Sequence, residues 1–199
     1  MPAEVKPLRA DALRNRDKLL ATAIDLFGER GLDVPLEEIA RRAKVSIGTL
    51  YNHFPTRDAF YDAIFPERIA ALDRLAEVAL AAPDPWEGFV AFTEGLFALQ
   101  AQDRGLNDTL AQRFPVSDRV REACENGFRH VERLLARAKD SGRLRPDFEA
   151  SDLATLIQAM SQVIQQTIDT EPEAWRRCLA FFLDGLRTEA AHPVAGPGQ

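Results

Sequence analysis

Between Pro35 and Arg57 two short helix-forming runs stand only a few residues apart, and this spacing constrains the chain more than any other feature. The first, Leu36 to Ala43, opens after Pro35 with Glu37 and Glu38 in its first turn and closes with Arg41 and Arg42. Both placements suit the helix dipole. The second, Ile47 to Phe54, follows Lys44-Val45-Ser46, with Ser46 placed as its N-cap. Pro55 ends it, and Thr56 is positioned to cap the next helix, which starts at Arg57. Helix, turn of three or four residues, helix defines a helix-turn-helix unit. Its candidate core is Ile39, Ala40, Ala43, Val45, Leu50 and Phe54, facing Ile24 and Phe27 of a preceding helix over about 8–29. That first helix carries its apolar stripe on Leu13, Leu20, Ile24 and Phe27, and Gly31 supplies a left-handed stop.

The remainder is punctuated by Gly and Pro into segments whose apolar residues recur every three and four positions, so no strand is expected. Helices are expected over about 57–81 (with a kink at Pro66), 85–103, 105–114, 117–141, 151–168 and 172–190. The fold class is therefore all-α, with about nine helices. A unit at 1–56 carries the helix-turn-helix, a helical domain spans 57–191, and 192–199 forms a loose tail.

Net charge is −6 over 199 residues, but it is unevenly placed. Residues 1–65 hold ten basic and ten acidic side chains, so the later helices carry the whole deficit. Residues 39–57 contain Arg41, Arg42, Lys44 and Arg57 and no acid. A basic island on an acidic chain fits an anion-binding surface, phosphate included; the alternative is an ordinary solvated helix face.

Other classes find less support. No apolar run approaches the ~18–20 residues of a membrane helix, and no signal core follows the N-terminus, so a cytoplasmic location is expected. Cys124 and Cys178 lack neighbours at ligand spacing, which disfavours a disulfide scaffold or a zinc site. His53, His130 and His192 are scattered, and no phosphate-cradling glycine motif occurs. Neither a metal nor another cofactor is expected, and an enzyme or a protein-interaction adaptor that merely retains the motif is the secondary reading.

Residues 9–65 resemble the DNA-binding domain of TetR-type bacterial transcriptional regulators. The resemblance is carried by Ala23-Ile24-Asp25-Leu26-Phe27 with Gly31, then by Ile39-Ala40, Ala43, Val45-Ser46. It continues through Gly48-Thr49-Leu50-Tyr51, His53-Phe54 and Arg57. Lys44 departs from the pattern, because the family commonly has glycine in this turn; a positive φ there would cost lysine about 1 kcal/mol.

The resemblance implies that the helix at 47–53 enters the major groove of a palindromic operator. Thr49, Tyr51, His53 and Arg57 would contact phosphates, joined by Lys44 and by Arg41 or Arg42. Ile47, Gly48 and Asn52 would meet or approach base edges, with Ser46 capping the helix beside them. It also implies a homodimer, since one short recognition helix reads little DNA. Leu156, Met160, Val163 and Ile164, with Trp175, Cys178, Leu179, Phe182, Leu183 and Leu186, suggest the seam. An intramolecular core is the alternative for the same stripe. For a largely apolar small-molecule effector, Phe89, Phe92, Phe97, Phe128 and Met160 are candidate lining residues, with Asn107, Arg113 and Gln158 as polar anchors. Effector binding is expected to act through the long helix after Arg57, releasing a repressor from DNA.

Overall fold

The computed structural model of the chain describes residues 5–111 and 117–192. Nine α-helices occur among them: α1 (Val5–Arg30), α2 (Leu36–Arg42), α3 (Ile47–His53), α4 (Arg57–Leu80), α5 (Pro85–Gln102), α6 (Arg104–Leu110), α7 (Asp118–Asp140), α8 (Ala150–Thr167) and α9 (Ala174–Gly185). Arg113 and the tail beyond His192 lie outside the described residues, as does the side chain of Cys124.

Local chemistry sets the helix starts. The side chains of Ser46, Thr56, Asp84, Asp103 and Ser117 each accept a backbone N–H in the first turn of the helix that follows. Glu149, not Ser151, starts α8, through a capping box with Asp152. Pro66 lies within α4, which continues past it.

Two cores result. The smaller joins α1, α2, α3 and the first half of α4 around Leu19, Leu26, Phe27, Ile39, Leu50, Phe54 and Phe60. Phe54 and Phe60 stack with ring centroids 4.0 Å apart. The larger joins the second half of α4 to α5, α7, α8 and α9 around Trp86, Phe89, Phe97, Leu134, Met160 and Trp175. Because α4 runs through both cores, the domain boundary expected at residue 57 falls at the start of a shared helix.

Two helical readings are corrected. On α1 the buried stripe is Leu19, Ala23, Leu26 and Phe27, while Leu13 and Ile24 are exposed. Both sets satisfy helical spacing, and packing on α4 selects the former. The last helix, expected to run from Pro172 to Ala190, spans Ala174–Gly185 and is followed by a short 3-10 turn at Thr188–Ala190. Beyond Gly185 the chain pairs with the loop after α7 instead. Arg145 N–H donates to Leu186 O (2.9 Å) and Thr188 N–H to Arg143 O (3.0 Å). These bonds replace the helical ones.

Candidate nucleic-acid interface

The α2–α3 turn is built on Lys44, whose φ of 56° lies in the left-handed region. That conformation lets Val45 N–H donate to Ala40 O at 3.0 Å and swings the chain into α3. It is strained for lysine, as glycine alone adopts it freely. Ser46 then caps α3, its Oγ accepting from Thr49 N–H at 3.1 Å and lying 2.8 Å from the Thr49 hydroxyl. Only Leu50 of α3 is fully buried, pinning the helix to the small core.

What remains outside is a continuous polar and apolar face. Ile47 is 40% and Tyr51 44% exposed, large values for such side chains, and Gly48 and Asn52 are exposed beside them. Thr49 and His53 are half-buried at the edges. A Cβ on Gly48 would meet nothing within 4 Å, so the α3 backbone is bare at this point. Lys44 and Arg41 are exposed at the turn. Arg41 reaches Glu38 only at 3.6 Å with its side chain mostly in solvent. Arg42 points to Glu29 of α1 at 3.5 Å. Consecutive helical residues diverge by about 100°, so the two arginines leave α2 in different directions.

Arg57 is placed differently from the surface role that the motif implies. Its guanidinium donates to Leu32 O (2.6 Å) and Val34 O (2.9 Å), tying the start of α4 to the α1–α2 loop. Carbonyls buried beside Leu32 and Val34 need such donors. The bonds also explain why a cation is tolerated at a helix start, where the dipole opposes it.

The second domain contains a cavity of about 70 Å3 between α4, α5, α6, α7 and α8. Ile69, Leu72 and Ala76 form one wall, Phe92 and Leu96 another, and Gly127, Phe128 and Val131 a third, with Leu110 and Ile157 completing it. Asp73 is the single charged lining residue. Of the expected lining set, Phe92 and Phe128 meet here. Phe89, Phe97 and Met160 are closed into the core, and Gln158 faces solvent. Asn107 is buried in a different cluster: it accepts from Gln100 Nε2 (3.1 Å) and donates to Ser161 O (3.2 Å). Sequence reasoning missed Ile69, Leu72, Asp73 and Ala76, although their spacing of three, four and seven marks one face of α4.

The expected dimer seam divides. Leu156, Ile164, Trp175, Leu179, Leu183 and Leu186 are buried within the chain's own core, and Val163 is half-buried. These six pack within the one chain, where α8 and α9 contact each other and α5. Phe182 remains exposed, joined by Phe181 at 64%, with Arg177 stacked over the Phe181 ring.

A three-helix unit presenting a bare recognition helix, fused to a helical domain with an apolar cavity between its helices, defines a helix-turn-helix regulator. Comparison with known proteins agrees. Residues 19–64 match the family model for bacterial regulatory proteins of the tetR family, and residues 84–188 match that for the C-terminal domain of SbtR-like transcriptional regulators. A TetR transcription regulatory protein from Mycobacterium vanbaalenii is 33% identical over 91% of this chain and 99% of its own, with a TM-score of 0.54. A TetR transcriptional regulator from Streptomyces coelicolor is 32% identical over 86% and 98%, with a TM-score of 0.57. The transcriptional regulator FadR of Bacillus subtilis, solved in complex with stearoyl-CoA, shares the fold at 16% identity, covering 88% of this chain and 98% of its own with a TM-score of 0.63. The chain belongs to the TetR family of DNA-binding transcriptional regulators. These relatives are transcriptional regulators. No described helix is long and apolar enough to cross a membrane.

Proposed function

We propose that the protein is a homodimeric repressor that binds a palindromic operator through α3 and is released when a small, largely apolar molecule enters the cavity between α4 and α8. The exposed α3 face carries this reading. Ile47, Gly48 and Asn52 are disposed toward base edges, where Asn pairs with adenine and Ile meets a thymine methyl. Lys44, Arg41, Tyr51, Thr49 and His53 surround them as phosphate contacts. Base contacts specify sequence and phosphate contacts fix register.

Two further arguments support the assembly and the release. Phe181 and Phe182 leave an apolar edge on α9, and pairing two copies there would bury it while setting two α3 helices for two half-sites. Release needs only that effector binding shift the helices around the cavity, two of which, α4 and α6, also touch the DNA-binding unit. A coupling of about 1–3 kcal/mol would lower operator affinity roughly 5–150-fold.

The test is fluorescence anisotropy with duplex DNA from directly upstream of the protein's own gene, against scrambled competitor at two salt concentrations. Tight, competitor-resistant binding that weakens with salt is expected. Binding equal to scrambled DNA, both there and after selection from random duplexes, would overturn the sequence-specific reading.

A further inference from the structure

We propose that Arg16 of α1 is a DNA-backbone contact: its guanidinium, held on the Phe54 ring, meets a phosphate beside the C-terminal end of α3. This rests on the DNA-binding reading above and adds a residue that the helix-turn-helix itself does not contain. Arg16 is exposed, and its guanidinium carbon lies 5.5 Å from the centroid of the Phe54 ring, within cation–π range. Phe54 is the C-cap of α3 and is itself buried. The contact therefore fixes a cation from one helix at the end of another.

The neighbouring arginines of this unit are engaged otherwise. Arg14 pairs with Asp11, Arg30 with Glu38 and Arg42 with Glu29, while Arg41 faces Glu38 at 3.6 Å. Arg57 gives its donors to the carbonyls of Leu32 and Val34. Among the described residues Arg16 has neither an ion pair nor a hydrogen bond, only the Phe54 ring. A π contact uses the charge and leaves the five guanidinium donors for another acceptor. An exposed arginine, restrained by a ring and with its donors open, suits the bidentate geometry of a phosphate.

Its position suits the same partner. The seven residues of α3 span about 10 Å, close to the ~12 Å width of the major groove. Lys44 is exposed before the first turn of α3 and Arg16 stands beside its last residue. The two cations thus bracket the recognition helix and address the two backbones that border the groove. His53, a phosphate contact in the reading above, has its ring centroid 6.4 Å from that of Phe54, which puts Arg16 in the same neighbourhood.

The test is salt-dependent fluorescence anisotropy of the full chain on two duplexes, one from directly upstream of its own gene and one scrambled. Arg16→Ala is expected to weaken binding to both by the same factor, roughly fivefold at about 0.15 M salt, and to lower the salt slope by about 0.9, the counterion release of one phosphate. Its melting temperature should stay within a few degrees of wild type, because an exposed cation–π contact contributes little to stability. Arg14→Ala removes the same charge two positions away, from a side chain already engaged by Asp11, and should leave the slope unchanged. An unchanged slope for Arg16→Ala, an equal loss of slope for Arg14→Ala, or a loss confined to one duplex would each overturn the proposal. Wild-type protein that prefers no duplex, even after selection from random sequences, yet loses slope on Arg16→Ala would overturn the operator reading and support this contact.

Discussion

The carboxylate of Asp108 on α6 accepts a hydrogen bond from the backbone N–H of Leu32 at 2.9 Å, joining the effector domain to the turn that launches α2. The contact is tight: a Cβ on the preceding Gly31 would lie 2.3 Å from Asp108 Oδ2, and Gly31 itself has a φ of +81°. Nearby, Arg68 of α4 donates to Asp103 (3.0 Å) and to Ile24 O of α1 (3.1 Å). Burial pulls the Arg68 guanidinium below its ordinary pKa, with Asp103 working against that pull. Asn107, on the same short helix as Asp108, is bound to Gln100 and Ser161. A shift of α5 or α8 around the cavity therefore reaches the α1–α2 loop through α6 as well as through α4, the helix that sequence alone singles out.

Asp108→Ala should destabilise the protein by about 1–3 kcal/mol, because it leaves the buried Leu32 N–H without its acceptor. Chemical denaturation measures the loss. If α6 carries coupling, the variant should also show a smaller drop in operator affinity on saturation with effector. An unchanged drop would assign coupling to α4 alone.

Lys44→Gly separates strain from charge at the turn. Relief of the left-handed conformation should raise stability by up to about 1 kcal/mol, partly offset by the greater freedom of glycine in the unfolded chain. Loss of one phosphate contact should weaken DNA binding on all sequences alike and reduce the salt slope by about 0.9. A variant that melts higher and binds with an unchanged salt slope would show that Lys44 does not reach the backbone.

The helix-turn-helix was legible because its signals are local. Pro35, Ser46, Pro55 and Thr56 punctuate it, and Leu50 and Phe54 can only point inward from so short a helix. The positive φ at Lys44 was suggested only by the resemblance, in which glycine commonly stands at this turn. The cavity was not. Phe89, Phe92 and Phe97 share one helix, and only the packing of α4 and α7 decides that Phe92 lines a void while the other two fill a core. Nor could spacing tell that Leu179 and Leu183 face their own chain while Phe181 and Phe182 face out, because α9 is apolar on both sides. Arg57 was seen as a surface cation, since its carbonyl partners at Leu32 and Val34 are more than twenty residues away.

Tyr61→Phe should be neutral or stabilising by up to about 1 kcal/mol. The hydroxyl is buried beside Arg57 yet makes no hydrogen bond of ordinary geometry among the described residues, and an unsatisfied buried hydroxyl is a cost that phenylalanine removes. Burial, the largest influence, raises the phenol above its ordinary value of 10.0. The unfolded chain therefore ionises first as pH rises, so the stability linked to this group is present below pH 10 and lost through the folded-state pKa above it. Denaturation curves near that pH should show a weaker alkaline loss for the variant than for the wild type.

Tyr51→Ala and Arg57→Ala should fail in opposite ways. Tyr51 stands on the exposed face of α3, so truncation should leave stability within about 0.5 kcal/mol while weakening operator binding at least several-fold. Arg57 closes two carbonyls of the α1–α2 loop, so its removal should cost about 2–3 kcal/mol and weaken DNA binding chiefly by loosening the unit that carries α3. Added salt distinguishes them further: a lost phosphate contact lowers the salt slope, whereas a loosened scaffold lowers affinity with the slope preserved. Melting curves and salt-dependent anisotropy on the two purified variants make the comparison. A wild-type melting temperature for Arg57→Ala with a reduced salt slope would return Arg57 to the phosphate-contacting surface.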